Sequence, residues 1–233
     1  MKLFKVFPLL GIALLACACG SARYTASGVS LDDIDQFALL HPYAYVKAYD
    51  AHNKVYYDGP DSKIATNMIT GIIESERFPF TETIPVAYED DQTDDLSWIT
   101  NLPWVDAKKT DRLRVPKDFT RLIKESGCRY GVVVYARGFI RSREALQREA
   151  ILRGASMILN SLVEERTGVR NVTNSAYNVK SAPYGNDMYL AVIDAEEERV
   201  VYFVKEISPF YSHPTNGHDV NALVHKVLKP FVR

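Results

Sequence analysis

One loop near the C-terminus combines the residue types that acid–base chemistry uses. The run His213-Pro214-Thr215-Asn216-Gly217-His218-Asp219 places two imidazoles and a carboxylate close together. Imidazole and carboxylate groups act as general acids and bases, and a helix that starts in this loop would offer free N–H groups to an anion. The same residue types also suit an exposed loop that ends in a helix N-cap. His213, His218 and Asp219 are therefore the candidate ligand-binding or catalytic residues.

The other histidines do not form a recognisable metal site in the sequence. His218 and His225 are seven residues apart, which is two helical turns, and one metal ion would need a third ligand to join them. No HExxH, Walker, GxGxxG or CxxC motif occurs. We therefore expect neither a metal nor a cofactor, and we leave catalytic activity open, with a non-enzymatic role favoured.

Three cysteines occur, and two of them, Cys17 and Cys19, lie near the N-terminus. Cys128 is then the single cysteine of the remaining chain, so it has no partner there for an internal disulfide. It lies in Ser126-Gly127-Cys128-Arg129, between a predicted helix and a predicted strand. We interpret it as a small buried apolar residue.

The first 16 residues have the pattern of a secretory signal peptide. Lys2 and Lys5 form a positive start, and Val6 to Ala16 is a largely apolar run. Its length is within the roughly 7–15 residues of a signal-peptide core and short of the ~20 residues that span a bilayer. We therefore predict that residues 1–16 are removed after export.

The sequence at this cut resembles a bacterial lipobox, in which aliphatic and small residues precede a cysteine that receives lipid. Leu14-Leu15-Ala16-Cys17 fits the pattern, and Ala16-Cys17-Ala18-Cys19 offers Cys19 as an alternative. The resemblance implies a diacylglyceryl thioether and an acylated amine (commonly palmitate) on that cysteine. Two or more acyl chains anchor a protein stably.

Small and polar residues follow the cysteines, so residues 17–32 are predicted to be a lipid-anchored tether. No acidic residue comes directly after Cys17 or Cys19. The resemblance to lipoproteins therefore implies attachment to the outer membrane, facing the periplasm, while the inner membrane and the cell surface stay open. The formal net charge is −1 and no basic block occurs, so nucleic-acid binding has no support.

The rest of the chain, residues 33–233, is predicted to be a single α/β domain with helices packed on a mixed central sheet. The apolar run Tyr130 to Ala136 follows a helix that begins at Pro116, as expected for a strand buried on both faces. Residues 187–194 and 199–204 are separated by a short turn and predict a β-hairpin. Residues 143–166 have a long apolar helical stripe, and a last helix is predicted to begin at Asp219 or Asn221.

The order of these elements resembles periplasmic α/β domains of the TolB amino-terminal and curli-export-lipoprotein kinds. The likeness rests on the strand after Gly127 and on Tyr189 to Val204, where Asp194 and Ala195 match the hairpin motif and the turn glycine is replaced. It implies an accessory role in envelope assembly or transport, through binding other envelope proteins. Trp98 and Trp104 follow an acidic run, and we expect them either to cover the core or to form a surface for such a partner.

Overall fold

The computed structural model describes residues 21–76, 78, 80–86, 94–102, 115–152, 182–208 and 211–231. The strands are β1 (Ala22–Thr25), β2 (Phe37–Leu40), β3 (Tyr43–Tyr49), β4 (Val55–Tyr57), β5 (Phe80–Ile84), β6 (Tyr130–Arg141), β7 (Tyr184–Asp194) and β8 (Arg199–Ile207). The helices are α1 (Gly59–Ser75), α2 (Asp94–Asn101), α3 (Lys117–Glu125) and α5 (Gly217–Leu228), with residues 143–152 helical as α4. Short 3-10 turns occupy Leu31–Asp33 and Lys229–Phe231.

All eight strands belong to one mixed sheet, as the sequence predicted. The order is β1-β8-β7-β6-β2-β5, and β3 lies beside β6 and carries β4. Strands β2 and β3 both run parallel to β6, whereas β7, β8 and β1 alternate in direction. Two consecutive strands can share one edge of β6 because β6 is 12 residues long.

Helices cover both faces of this sheet and create two hydrophobic cores. On one face α1 and α5 pack over strand residues such as Val134 and Leu190. On the other, α2 and α3 pack over residues such as Val133 and Ala191. Neighbouring strand residues point to opposite faces, so β6 and β7 are apolar on both faces. The predicted continuous apolar strand is confirmed, and it extends five residues past Ala136.

The N-terminal part of the domain differs from the sequence expectation. Residues 17–32 were predicted to be a tether, yet Ala22–Thr25 form β1 and pair with β8, from Ala22 opposite Lys205 to Thr25 opposite Tyr202. Ala26 is also buried. Within the described residues, the sheet therefore begins at Ala22, five residues after Cys17.

The C-terminal elements follow the prediction closely. β7 and β8 form the expected hairpin, and the last helix begins two residues before Asp219, with Asn216 as its N-cap. The second half of the long helix predicted for residues 143–166 lies outside the described residues.

Candidate functional site

The loop of residues 211–216, with the start of α5, is docked against the ends of β6 and β7. The His213 ring lies 4.9 Å from the ring of Tyr184 at the start of β7. Pro214 is buried and lies so close to Gly138 of β6 that a Cβ atom there would be 2.6 Å from the Pro214 Cβ. Strand β6 therefore needs glycine at this position to let the loop approach.

Hydrogen bonds within the loop occupy most of the groups that had suggested chemistry. The His213 N–H donates to Asp219 Oδ2 at 2.9 Å, and the Thr215 N–H donates to His213 Nδ1 at 3.3 Å. Asn216 Oδ1 accepts from the N–H groups of His218 and Asp219 at 3.0 and 3.2 Å. These are the contacts of a helix cap. They make Asp219 and His213 structural partners of one another.

His218 is placed differently, because its side chain is exposed beside a groove between α1 and α5. The groove has a volume of about 390 Å³ and includes Met68, Gly71, Gly217, His218 and Asn221 in its lining. Its size is within the range of small-molecule sites, which are roughly 300–1,000 Å³, but it is shallow and open to solvent. His213 and Asp219 do not line it, so the structure keeps these two residues together and separates His218 from them.

The loop affects the pKa of Asp61, an acidic residue in the first turn of α1. Burial raises the pKa of Asp61, the neighbouring Asp58 raises it further, and His213 opposes the rise. Asp58 is the N-cap of α1 and accepts from the Asp61 N–H at 3.1 Å. The His213 ring therefore acts on the charge of Asp61, while its direct contacts are with Tyr184 and Asp219.

At the opposite end of the sheet, Asp194 and Arg129 form an ion pair that sequence reasoning had not assigned a role. Asp194 Oδ2 accepts from Arg129 Nη2 at 2.7 Å and from Nε at 3.1 Å. Asp194 Oδ1 accepts from the N–H groups of Glu196 and Glu197 at 3.0 and 3.2 Å. The carboxylate is 2% exposed, and Arg129 is 43% exposed. This cluster fixes the β7–β8 turn to the start of β6.

Burial by itself would raise the pKa of Asp194. The hydrogen bonds from Arg129 and from the two backbone N–H groups outweigh that effect, and the pKa of Asp194 is lowered overall. The pKa of Arg129 is raised by the same hydrogen bond to Asp194. The pair is therefore ionised across the physiological range, which is the behaviour of a structural ion pair.

A second groove, of about 560 Å³, lies beside this turn on the outer side of α3. Charged side chains line it, among them Lys117, Arg121, Lys124 and Glu198. Lys124 Nζ lies 3.7 Å from Glu198 Oε1 across the groove. These side chains are about half exposed, so the surface is solvated and carries both signs of charge.

The remaining predicted site residues are only partly within the described structure. Trp98 is half-buried beside the second core, and its ring lies 6.1 Å from that of Phe119. Cys128 is buried and is not part of a disulfide. Trp104, Cys17 and Cys19 lie outside the described residues. Within the described ranges, no group of three or more His, Cys, Asp or Glu side chains is placed to hold a metal ion, and no helix is long and apolar enough to cross a membrane.

Comparison with known proteins gives likeness in structure and none in sequence. No protein-family model matches the chain, and no curated protein matches it significantly. The PelC dodecamer from Paraburkholderia phytofirmans is similar at 10% identity and a TM-score of 0.39, over 92% of this chain and 99% of that chain. A variant of that PelC gives 13% identity and the same TM-score, over 91% and 98%. The LpoB C-terminal domain from Salmonella enterica gives 11% identity and a TM-score of 0.27, over 78% and 86%.

Proposed function

We propose that this protein is a lipid-anchored component of the bacterial cell envelope that works by binding other envelope proteins and not by catalysis. The observation that carries the proposal is the lipobox-like Leu14-Leu15-Ala16-Cys17 and its position directly before β1. A cysteine that bears lipid must stay accessible to the modifying and cleaving enzymes. Here Cys17 precedes β1 by five residues.

The contacts of the 213–219 loop support the second half of the proposal. Asp219 accepts from the backbone of His213, and Asn216 caps α5. A catalytic carboxylate and imidazole must instead reach the same point in a substrate. In this structure the polar groups of the loop cap the start of α5. His213 packs against Tyr184, whereas His218 lies beside the first groove.

A partner protein would meet the surface formed by α2, α3 and the β7–β8 turn. Trp98 lies on this side, and α3 presents Arg121, Lys124 and other charged side chains around the second groove. The outer side of α3 carries mixed charges, and the aromatic Trp98 packs on its inner side. Arginine and aromatic residues are enriched in protein interfaces. The predicted role of Trp98 and Trp104 as a partner surface stays a prediction.

The rival proposal is a periplasmic small-ligand-binding protein or hydrolase that uses the 213–219 loop. It is favoured by one specific observation, the groove that includes His218 and Asn221 at the start of α5. If this groove binds the physiological ligand, His218→Ala together with Asn221→Ala will abolish function while the protein stays folded and anchored. If the partner-binding proposal holds, the double variant will keep its function.

Cell fractionation of cysteine variants tests the anchor. We expect the wild-type protein in the outer-membrane fraction, with mass spectrometry showing a lipid-modified Cys17 at the mature N-terminus. Replacing Cys17 and Cys19 together by Ala should release the protein in soluble form. Cys128→Ala is the matched control, because it removes a buried thiol outside the lipobox and should stay membrane-bound. Membrane attachment of the double variant would overturn the proposal, and lipid on Cys19 would transfer the anchor to the alternative cysteine.

Photo-crosslinking in cells tests the partner. A benzophenone side chain at Arg121 should give one discrete protein adduct, and the same probe at Ile64, on the opposite face, should not give that adduct. The partner identified at Arg121 should then bind the purified lipidated protein, and charge reversal at Arg121 and Lys124 should weaken that binding. A protein that gives no adduct at Arg121 and binds no envelope protein would contradict the proposal.

A further inference from the structure

Helix α1 presents an uncharged outer face to solvent, and the structure describes this helix from end to end. The buried residues, which face the sheet, are Ser62, Ala65, Thr66, Ile69 and Ile73. The exposed residues on the opposite side recur at helical spacing and are Pro60, Ile64, Asn67, Gly71 and Ser75. No charged residue occurs between Lys63 and Glu74. Charged residues are depleted in the centres of protein interfaces, and this face has that composition.

The outer side of α3 has the opposite composition. Five of its nine residues are charged and exposed, namely Lys117, Asp118, Arg121, Lys124 and Glu125. On the α1 side of the sheet, by contrast, α5 continues the uncharged surface with the exposed residues Asn221 and Ala222. The two helical layers of the domain therefore present surfaces of different kinds.

Ile64 is the apolar side chain that protrudes from the outer face of α1, and it is 44% exposed. Other large apolar side chains that are exposed within the described residues are Val55, Tyr56, Ile151, Leu152, Ile207 and Tyr211. The last four adjoin segments that lie outside the described residues. Ile64 instead lies among described residues of its own helix, and its neighbours on the face are uncharged.

Gly71 forms a hollow on the same face. A Cβ atom at Gly71 would have no neighbour within 4 Å. The groove of about 390 Å³ between α1 and α5 lies beside it, with Met68 and Ile72 in its lining. Seven residues separate Ile64 from Gly71, which is two helical turns, so the two lie on one line about 10 Å apart. The face thus carries one apolar protrusion and one hollow.

The charges at the two ends of this face have opposite signs. Lys63 and Glu74 are eleven residues apart, which is three helical turns, so they lie on the same flank of α1. Both are exposed, and neither has an ionic partner within the described residues. Asp61 lies on the other flank, toward the loop that precedes α5, and Glu76 lies 3.6 Å from His225. Lys63 and Glu74 are therefore the charges that another molecule would meet on this face.

We propose that two copies of this chain pair through the outer faces of α1, with the helices antiparallel about a two-fold axis between Asn67 and Met68. Ile64 of each copy then lies over Gly71 of the other, because the two positions are equally distant from the axis. Lys63 of each copy lies within about 3 Å, along the helix, of the level of Glu74 of the other. In a two-fold homodimer one surface supplies both halves of the contact. This face meets that condition, because its protrusion, hollow and charges are complementary to their own reversed copy.

The arrangement of the sheet is compatible with this pairing. α1 packs on β3, α5 lies beside it over β7 and β8, and β1 follows β8 at the edge of the sheet. The two-fold axis is perpendicular to the helices and runs across the strands, so it keeps both β1 strands on the same side of the pair. Two anchors preceding β1 can therefore enter one membrane. The pairing itself goes beyond the proposed function and does not depend on the anchor.

Disulfide crosslinking of the full-length protein in its own host tests the pairing. With helix axes about 8–10 Å apart, Asn67→Cys places the two thiols beside the axis, at a Cα separation of roughly 6 Å that a disulfide can span. Lys63→Cys is the matched control, because it is exposed on the same helix but its two copies are about 13 Å apart along the helix direction. We expect oxidation before lysis to give a reducible dimer with Asn67→Cys and none with Lys63→Cys. The wild-type chain gives the background from its natural cysteines.

Charge reversal in the Asn67→Cys chain tests the register. Lys63→Glu should lower the dimer yield roughly tenfold, because two favourable charge contacts in each pair become unfavourable. Adding Glu74→Lys to that variant should restore the yield, which also shows that the chain is folded. Lys124→Glu on α3 is the matched control and should leave the yield unchanged.

The remaining outcomes would each overturn the pairing. Asn67→Cys that gives no dimer, or Lys63→Cys that gives as much, would exclude the antiparallel contact at this axis. An Asn67→Cys adduct with a different protein would assign the face to another partner. A dimer whose yield does not respond to Lys63→Glu, or is not restored by Glu74→Lys, would exclude the proposed charge contacts.

Discussion

Replacing Asp194 by Asn should destabilise the domain although the side-chain shape is conserved. The carboxylate is 2% exposed and accepts four hydrogen bonds, two from Arg129 and two from the backbone of the β7–β8 turn. An amide in its place keeps one acceptor oxygen, and its NH2 group meets either the guanidinium or the backbone N–H groups. Two donors then face each other at one side of the cluster.

The magnitude follows from those contacts. A hydrogen bond to a charged group contributes about 1.5–3 kcal/mol, and the half-exposed Arg129 can regain water, which reduces the loss. We therefore expect Asp194→Asn to lower the free energy of unfolding by about 2 kcal/mol. For a domain of this size, that corresponds to a fall in melting temperature of roughly 4–8 °C.

The effect should depend on pH with a defined sign. The pKa of Asp194 is lowered in the folded state, while an unfolded aspartate titrates near 3.9. The ionised carboxylate therefore contributes its full stabilisation above about pH 4. That contribution is lost as the pH falls through the folded-state pKa. The difference between the wild type and Asp194→Asn should be largest at neutral pH and should shrink in acid.

Urea denaturation of the detergent-solubilised protein at neutral and acidic pH, followed by circular dichroism, measures both quantities. Glu196→Gln is the matched control, since Glu196 lies 3.4 Å from the same guanidinium but is 65% exposed. Exposed ion pairs contribute about 0–1 kcal/mol, so this variant should unfold almost like the wild type. An equal loss in both variants, or a difference for Asp194→Asn that does not change with pH, would refute the reasoning.

Three further substitutions test how loops and helices are fitted to the sheet. Gly138→Ala should cost about 1–3 kcal/mol, because the new Cβ would lie 2.6 Å from Pro214; normal unfolding would contradict the docking of that loop. Gly131→Ala should cost a similar amount, because the new Cβ would lie 2.3 Å from Ile123 Cδ1 and 2.4 Å from Ile123 Cγ1. Ile123→Ala removes both atoms, so in a double-mutant cycle the double variant should cost less than the sum of the two single variants. Asn216→Ala should lower stability by about 1 kcal/mol, measured by urea denaturation, and no change would exclude the proposed cap of α5.

The sequence predicts the parts of the fold whose hydrophobic pattern is strong and local. The apolar run at Tyr130 and the two alternating segments around Asp194 become β6, β7 and β8. β1 was not predicted because Ala22–Thr25 is short and partly polar. It is a strand because it pairs with β8, about 180 residues later along the chain. A pairing between residues so far apart cannot be read from the local hydrophobic pattern of either segment.

The candidate site shows the same limit in another form. His213, Asn216 and Asp219 are residue types that serve a helix cap as well as an acid–base site. Spacing alone gives no preference between the two, because the distinction depends on which atoms each side chain reaches. In the folded chain Asp219 reaches a backbone N–H, and Asn216 reaches two. The role of Gly138 is also visible only in three dimensions, since Pro214 is distant from it in sequence.

In the proposed function, the short link between the lipid-bearing cysteine and β1 has a consequence for where a partner can bind. A tether of 16 residues would have allowed the domain to present any surface, whereas about five residues restrict it to a narrow range of orientations. The chain enters β1 from the end of the sheet opposite the β7–β8 turn, so α3 and this turn lie on the side away from the proposed anchor. They are also where Arg129 and Asp194 hold the turn firmly against β6. Such a rigid, charged surface would suit the proposed recognition of another envelope protein, because little conformational freedom is lost when it binds.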